Sequence, residues 1–142
     1  MKYLLDTDHI SILQRQAGPE YATLLTRIAQ HPPTDLACSI MSFHEQVLGC
    51  HTYINQGRQA EEVVRGYGML VQVLRDFAEA LVVPFDVTAA VVFEELVAQR
   101  VRVGTMDLRI AAIALSQGMV LVTRNASDFR KVPGLQIEDW TV

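Results

Sequence analysis

The chain has 142 residues, with 12 Lys and Arg against 16 Asp and Glu and a formal net charge of −4. It is 50% apolar and 20% charged, which excludes a disordered or collagen-like chain. No apolar stretch approaches the roughly 20 residues of a membrane span, and an acid at Asp6 comes too early for a signal peptide, so the expectation is a soluble, cytoplasmic protein of one domain over residues 1–142.

Tyr3-Leu4-Leu5 reads as a short buried strand that ends at Asp6-Thr7-Asp8. A helix follows from Asp8 to about Gln16, and Gly18-Pro19 breaks it. Pro19 sits at a first-turn position and opens a second helix, Glu20 to Gln30, which His31-Pro32-Pro33 stops. Leu36 to Ile40 is a second strand. Ser42 starts a helix carrying Val47, Leu48 and Ile54, and Gly57 ends it. From Gln59 to Ala80, Val63, Val64, Tyr67, Leu70, Val71, Leu74, Phe77 and Ala78 recur at three- and four-residue steps, which predicts a helix with this face buried. Leu81 to Phe85 is a third strand, weakened by Pro84. Helices from Thr88 to Arg100 and from Met106 to Gln117 follow, the second stopped by Gly118. Met119 to Thr123 is the clearest buried strand. Arg124 to Asp128 reads as a turn leading to Phe129, and Leu135 to Ile137 as an edge strand. Strands alternating with helices, and too apolar to expose either face, imply a mostly parallel sheet covered on both sides. Ligands then bind beyond the carboxyl ends of the strands.

The acids fall at that edge. Asp6 ends the first strand, Glu45 lies in the first turn after the second, Asp107 in the first turn of the apolar helix, and Asn125 and Asp128 after the fourth strand. Four carboxylates on one rim repel one another and call for a counter-charge. A hard divalent cation, Mg²⁺ or Mn²⁺, suits such ligands. Each acid also has an ordinary structural role. Ser42-x-x-Glu45 is a capping box, Asp107 suits a helix N-terminus, and Asp128 suits an Asx turn. Asp6 is the exception, because Thr7 or Asp8 can cap the first helix in its place. Arg100, Arg102, Arg109, Arg124, Arg130 and Lys131 form a loose basic group near the proposed site, suited to a phosphate backbone. The four histidines, His9, His31, His44 and His51, show no zinc spacing, and His44 and His51 read as one solvated helix face. There is no Gly-rich phosphate loop, Ser39 and Ser42 form no nucleophile elbow, and Cys38 and Cys50 read as reduced thiols without metal-ligand spacing.

The opening Tyr3-Leu4-Leu5-Asp6-Thr7-Asp8 resembles that of PIN-domain proteins, particularly bacterial VapC-type toxins. Val83-Pro84-Phe85-Asp86 looks like their third-strand segment, and Gly104-Thr105-Met106-Asp107-Leu108-Arg109-Ile110-Ala111-Ala112 resembles their central acidic helix. Val122-Thr123-Arg124-Asn125-Ala126-Ser127-Asp128-Phe129 resembles their last motif, and Val132-Pro133-Gly134-Leu135 their tail. The motifs run in the family's order along the chain, with none over residues 50–80. The resemblance implies a three-layer α/β/α fold around a mostly parallel sheet of four or five strands, and an endoribonuclease dependent on Mg²⁺ or Mn²⁺. Asp6, Glu45 and Asp107 match the family's core acids. The fourth is ambiguous between the positions of Asn125 and Asp128. With Asn125 neutral, the charge is assigned to Asp128, and Asn125 is left as an amide or water-mediated ligand. Thr7 and Thr123 match hydroxyl positions beside the acids. Arg109, Arg124, Arg130 and Lys131 are the phosphate-contact candidates. The family's toxins usually form homodimers and are silenced by an antitoxin encoded beside them.

Two alternatives stand beside this reading. Asp6-Thr7-Asp8 also resembles the Asp-x-Asp of haloacid-dehalogenase-type phosphatases, with Asp6 as nucleophile and Asp8 as general acid. Those enzymes place a lysine before a terminal acid pair, whereas Lys131 here follows Asp128. The second alternative is a non-catalytic PIN-like binding module.

Overall fold

Short runs of apolar residues form five strands in the computed structural model, which describes residues 1–142: β1 (Tyr3–Leu5), β2 (Leu36–Ser39), β3 (Val82–Val83), β4 (Val120–Val122) and β5 (Ile137–Glu138). Their order is β3-β2-β1-β4-β5 and every pairing is parallel. Leu5 lies level with Cys38 on one side and Val122 on the other. One residue further on, Asp6, Ser39 and Thr123 therefore share the carboxyl edge. Seven helices connect the strands: α1 (Thr7–Arg15), α2 (Pro19–Ile28), α3 (Ile40–Gln56), α4 (Ala60–Ala78), α5 (Val87–Ala98), α6 (Thr105–Gln117) and the short α7 (Ala126–Phe129).

Strand alternation sends successive side chains to opposite faces. Leu4, Ala37, Val83 and Leu121 pack with Ala89 and Leu96 of α5 and with Leu108 and Ile110–Ala114 of α6. On the other face Leu5 and Val122 meet Ile12, Leu24 and Trp140, while Cys38 meets Cys50, Val73 and Phe77. The result is the expected three-layer α/β/α arrangement, its strands buried on both sides. Full burial of a side chain such as Ile113 or Leu121 stabilises the fold by roughly 1.5–3 kcal/mol each. Both cysteines are buried and free. An apolar cleft of about 940 Å³ opens between α1 and α4 over Leu5, Ala37 and Cys38. No helix is long and apolar enough to cross a membrane.

Several local expectations are corrected. The N-cap of α1 is Asp6 itself, with φ −72° and ψ 163° and its carboxylate accepting from the Thr7 amide. The strand ends at Leu5 and the helix begins two residues later, so only Asp6 holds the extended backbone that a cap needs. Likewise α3 starts at Ile40, capped by Ser39, whose hydroxyl accepts from the Ser42 amide. Ser42 is thus inside the helix, the Ser42–Glu45 capping box does not form, and Glu45 lies in the second turn. On α4 the predicted face is wrong in part, since Val64, Tyr67, Val71 and Leu74 are exposed. The buried line is Gly66, Val73 and Phe77. Gly66 sets it, because a Cβ there would stand 2.5 Å from Ile54 Cγ1, so α3 and α4 approach along the glycine rather than the apolar stripe. The turn after β4 winds into α7, and β5 is displaced to Ile137–Glu138. His44 and His51 are exposed, as expected.

Candidate active site

The rim is assembled by helix starts and strand ends. Asp6 is buried at 6% exposure between β1 and α1, with Oδ1 accepting from the Thr7 amide at 2.8 Å and Oδ2 from the Thr123 hydroxyl at 2.8 Å. Burial, and secondly the charge of Asp8, raise its pKa to about 6. Glu45 comes from α3. Its Oε1 is a buried side-chain oxygen without a hydrogen-bond partner. Burial, then the charges of Asp6 and Asp107, raise its pKa to about 7. Asp107 rises as well, through burial and then the charges of Asp128 and Asp8. These three acids lie within electrostatic reach of one another and disfavour one another's ionisation.

Asp128 behaves differently. It lies in α7, accepts from Asn125 Nδ2 at 3.2 Å and from Lys131 Nζ at 3.3 Å, and these bonds lower its pKa, Asn125 foremost. Asn125 also reaches Asp107 Oδ2 at 3.5 Å, so its amide spans the two acids. Thr7 Oγ1 and Ser42 Oγ form a hydroxyl pair at 2.9 Å, which brings Thr7 to the start of α3. A shallow pocket of about 510 Å³ beside the rim is lined by Glu45, Leu48, Gly104, Thr105, Met106 and Asp107.

Sequence reasoning left one member of the cluster out of the metal-site set, naming it only as a cap or as the general acid of the phosphatase alternative. Asp8, in the first turn of α1, takes a 2.6 Å contact from His9 Nδ1 and a 2.9 Å bond from the Arg124 amide. Burial opposes its ionisation, but the His9 and Arg124 bonds outweigh it and its pKa is lowered. Its charge contributes to the raised values of Asp6, Glu45 and Asp107. The available signal was the second acid of Asp6-Thr7-Asp8, two residues on, which a helical turn keeps at the same edge.

The basic candidates separate. Arg124 and Arg130 are exposed. Lys131 is held by Asp128, and the Arg109 guanidinium lies 5.6 Å from the Phe93 ring centroid, on α5.

As they stand, no three His, Cys, Asp or Glu side chains enclose a cation. Asp6, Asp8 and Asp128 are each bonded to protein donors. The donor set nonetheless fits a hard divalent ion. It consists of carboxylates, an amide and hydroxyls, with one buried carboxylate oxygen unsatisfied and three acids raised by burial and then by neighbouring negative charge.

No protein-family model matches the chain. It is 40% identical over 63 residues to the tRNA(fMet)-specific endonuclease VapC of Salmonella typhimurium, a segment covering 42% of this chain and 48% of that protein. Against ribonuclease VapC1 of Rickettsia felis the identity is 37% over 60 residues, 45% of that protein, so the matched segment spans less than half of either relative. Ribonuclease VapC1 of Haemophilus influenzae is 29% identical over 144 residues, covering 99% of both chains. Among solved structures, VapBC-1 from nontypeable Haemophilus influenzae superposes with a TM-score of 0.77 at 25% identity over 100% of both chains. The DNA-bound VapBC of Salmonella typhimurium gives 0.69 at 26% identity, over 99% of this chain and 98% of that one.

Proposed function

We propose that this chain, a PIN-domain protein of the VapC type by its fold and chain-long similarity, is an endoribonuclease dependent on Mg²⁺ or Mn²⁺ and the toxin of a toxin–antitoxin pair. The observation that carries the reading is the set of mutually destabilising acids at the carboxyl edge of the sheet, with Glu45 Oε1 buried and unpartnered among them. The ribonuclease names of the relatives supply the reaction class.

Asp6, Glu45 and Asp107 would hold the ion, with Asp128 as the fourth acid and Asn125 orienting Asp107 and Asp128. A bound Mg²⁺ or Mn²⁺ would lower the pKa of a water and offset the charge that builds on the phosphate and the leaving oxygen. The chain's own contribution is rigidity. Asp6 is fixed from two sides by the Thr7 amide and the Thr123 hydroxyl, so one carboxylate is oriented in advance. Thr7, paired with Ser42, presents a hydroxyl beside it. Arg124 and Arg130 offer free guanidinium groups to flanking phosphates, whereas Lys131 and Arg109 are already engaged. No His or Ser nucleophile is required.

The phosphatase alternative is disfavoured by Asp8. Burial opposes its ionisation, but the bonds from His9 and the Arg124 amide outweigh it and keep the carboxyl ionised, without a proton to give as general acid. The structural neighbours are VapBC complexes, which supports a cognate antitoxin as partner. Family resemblance supports a homodimer.

The test is cleavage of RNA by purified protein with Mg²⁺, with Mn²⁺ and with EDTA, beside hydrolysis of a phosphomonoester. Metal-dependent phosphodiester cleavage that EDTA abolishes is expected. Cleavage undiminished in EDTA, or turnover of the monoester alone, would overturn the proposal.

A further inference from the structure

His9 is the one histidine of the chain with no solvent exposure, and the chemistry proposed above makes no use of it. Its two nitrogens face opposite parts of the molecule. Nε2 receives the Trp140 backbone amide at 3.2 Å. An amide can only donate, so Nε2 must carry the lone pair, and the proton sits on Nδ1. Nδ1 then donates to Asp8 Oδ1 at 2.6 Å. Asp139 Oδ1 is the remaining charged neighbour, 3.7 Å from Nε2.

From Asp8 the chain of bonds continues to the rim. Asp8 Oδ2 accepts from the Arg124 amide at 2.9 Å and lies 3.3 Å from Thr123 Oγ1. The threonine has one proton. It goes to the nearer acceptor, Asp6 Oδ2 at 2.8 Å, and Thr123 Oγ1 in turn accepts from the Asn125 amide at 3.0 Å. The other end is equally fixed. Trp140 has no exposed surface, its indole N–H donates to Glu138 at 3.0 Å, and its ring stacks on His31 at 4.8 Å.

We infer that His9 is a positioning residue of the acidic rim, its Nδ1–H orienting Asp8 and through it the Thr123–Asn125 turn and Asp6, while the Trp140 amide fixes the tautomer that supplies that proton. The inference rests on reading that rim as the site of cleavage. Groups that orient metal-site carboxylates typically cost ~10–100-fold in activity when removed, whereas a histidine that only fills space would act through stability alone.

Two substitutions divide the bridge. In His9→Asn the amide nitrogen falls near the Nδ1 position and can still donate to Asp8, while the Trp140 amide loses its acceptor. In His9→Gln the carbonyl reaches the Nε2 position and can still accept from Trp140, while Asp8 loses its donor. Cleavage is measured as kcat and KM with Mn²⁺, and amide hydrogen exchange is followed at Arg124 and Trp140 in metal-free protein. His9→Asn is expected to stay within a few-fold of the parent kcat, keep Arg124 protected and expose Trp140. His9→Gln is expected to lose ~10–100-fold in kcat with KM little changed, and to expose Arg124 while keeping Trp140 protected. Equal effects of the two variants on kcat and on Arg124 exchange would overturn the inference. Nitrogen NMR of the parent decides independently of how the variants fold: the Nδ1–H tautomer supports the bridge, and an Nε2–H tautomer refutes it. If the parent cleaves no RNA, the proposed function fails, and the exchange and tautomer results still decide the role of His9.

Discussion

The Thr123 hydroxyl donates to Asp6 Oδ2 at 2.8 Å, joining the carboxyl ends of β1 and β4 through a carboxylate that also caps α1. One residue thus has two duties, and Asp6→Asn separates them. The asparagine oxygen can still accept from the Thr7 amide, and asparagine is as good a cap as aspartate. Thr123 can accept from the new NH₂ and turn its own proton to Asp8 Oδ2, 3.3 Å away. Metal-free stability should hold or rise by a few degrees in Tm, because burial and Asp8 already disfavour the Asp6 charge. The stabilisation given by Mn²⁺ should shrink, and cleavage should fall by orders of magnitude. Melting curves with and without Mn²⁺, alongside the cleavage assay, measure all three. A variant that cleaves like the parent would remove Asp6 from the site.

Asn125 is the neutral member between two acids, within 3.5 Å of Asp107 and 3.2 Å of Asp128. Asn125→Asp deletes the donor to both and adds a third negative charge. Metal-free Tm should fall, since Asp107 already has a raised pKa and Asp128 loses the bond that most lowers its own. Mn²⁺ should restore more stability to this variant than to the parent. An unchanged melting temperature in EDTA would show that the Asn125 bridge does not form in solution.

The α/β/α layering and the carboxyl-edge location of Asp6 and Asp107 were legible because they depend on local signals: apolar runs, breaks at Gly and Pro, and acids at fixed offsets from strand ends. What escaped depends on partners distant in sequence. His9 meets Trp140, 131 positions away, and Asp8 meets Arg124, 116 positions away. Nothing near residue 9 marks those neighbours. The exposed stripe of α4 escaped for a related reason. Its period is correct for a helix, but the close approach at Gly66 decides which face turns inward. The caps were misassigned by one to three residues because Asp6 and Ser39 end strands and begin helices at once.

RNA binding should weaken as salt rises despite the net charge of −4, because Arg124, whose amide bonds Asp8, and Arg130, at the end of α7, are both exposed. For single-stranded RNA each neutralised phosphate contributes about 0.7 to the slope of log K against log salt. The double variant Arg124→Ala, Arg130→Ala should therefore flatten that slope by ~1–1.5 and leave Tm nearly unchanged. Binding isotherms at several salt concentrations in EDTA supply the slopes. An identical slope in the variant would place the phosphate contacts elsewhere.

Stability without metal should fall as pH rises, the reverse of ordinary acid denaturation. Asp6 has a folded pKa of about 6 against an ordinary 3.8, and Glu45 about 7 against 4.5. Below the ordinary values both acids are protonated, folded or unfolded, and cost nothing. As pH rises, the unfolded chain ionises first, and the fold loses stability until the pH has passed through about 6 for Asp6 and about 7 for Glu45. Asp8 and Asp128, whose pKa values are lowered, act oppositely, but their contribution is already complete above the ordinary carboxylate range. Between about pH 5 and about pH 8, Tm in EDTA should therefore decline. A metal ion must compete with the protons on Asp6 and Glu45, so the Tm gain from Mn²⁺ should be small at the acid end and grow towards the alkaline end. Glu45→Gln should flatten both trends above about pH 6, since it removes a group with a folded pKa of about 7. Thermal melts across this range, in EDTA and in Mn²⁺, give both curves. A metal-free Tm that rises with pH would mean that the rim acids are not held in the buried, mutually repelling arrangement described here.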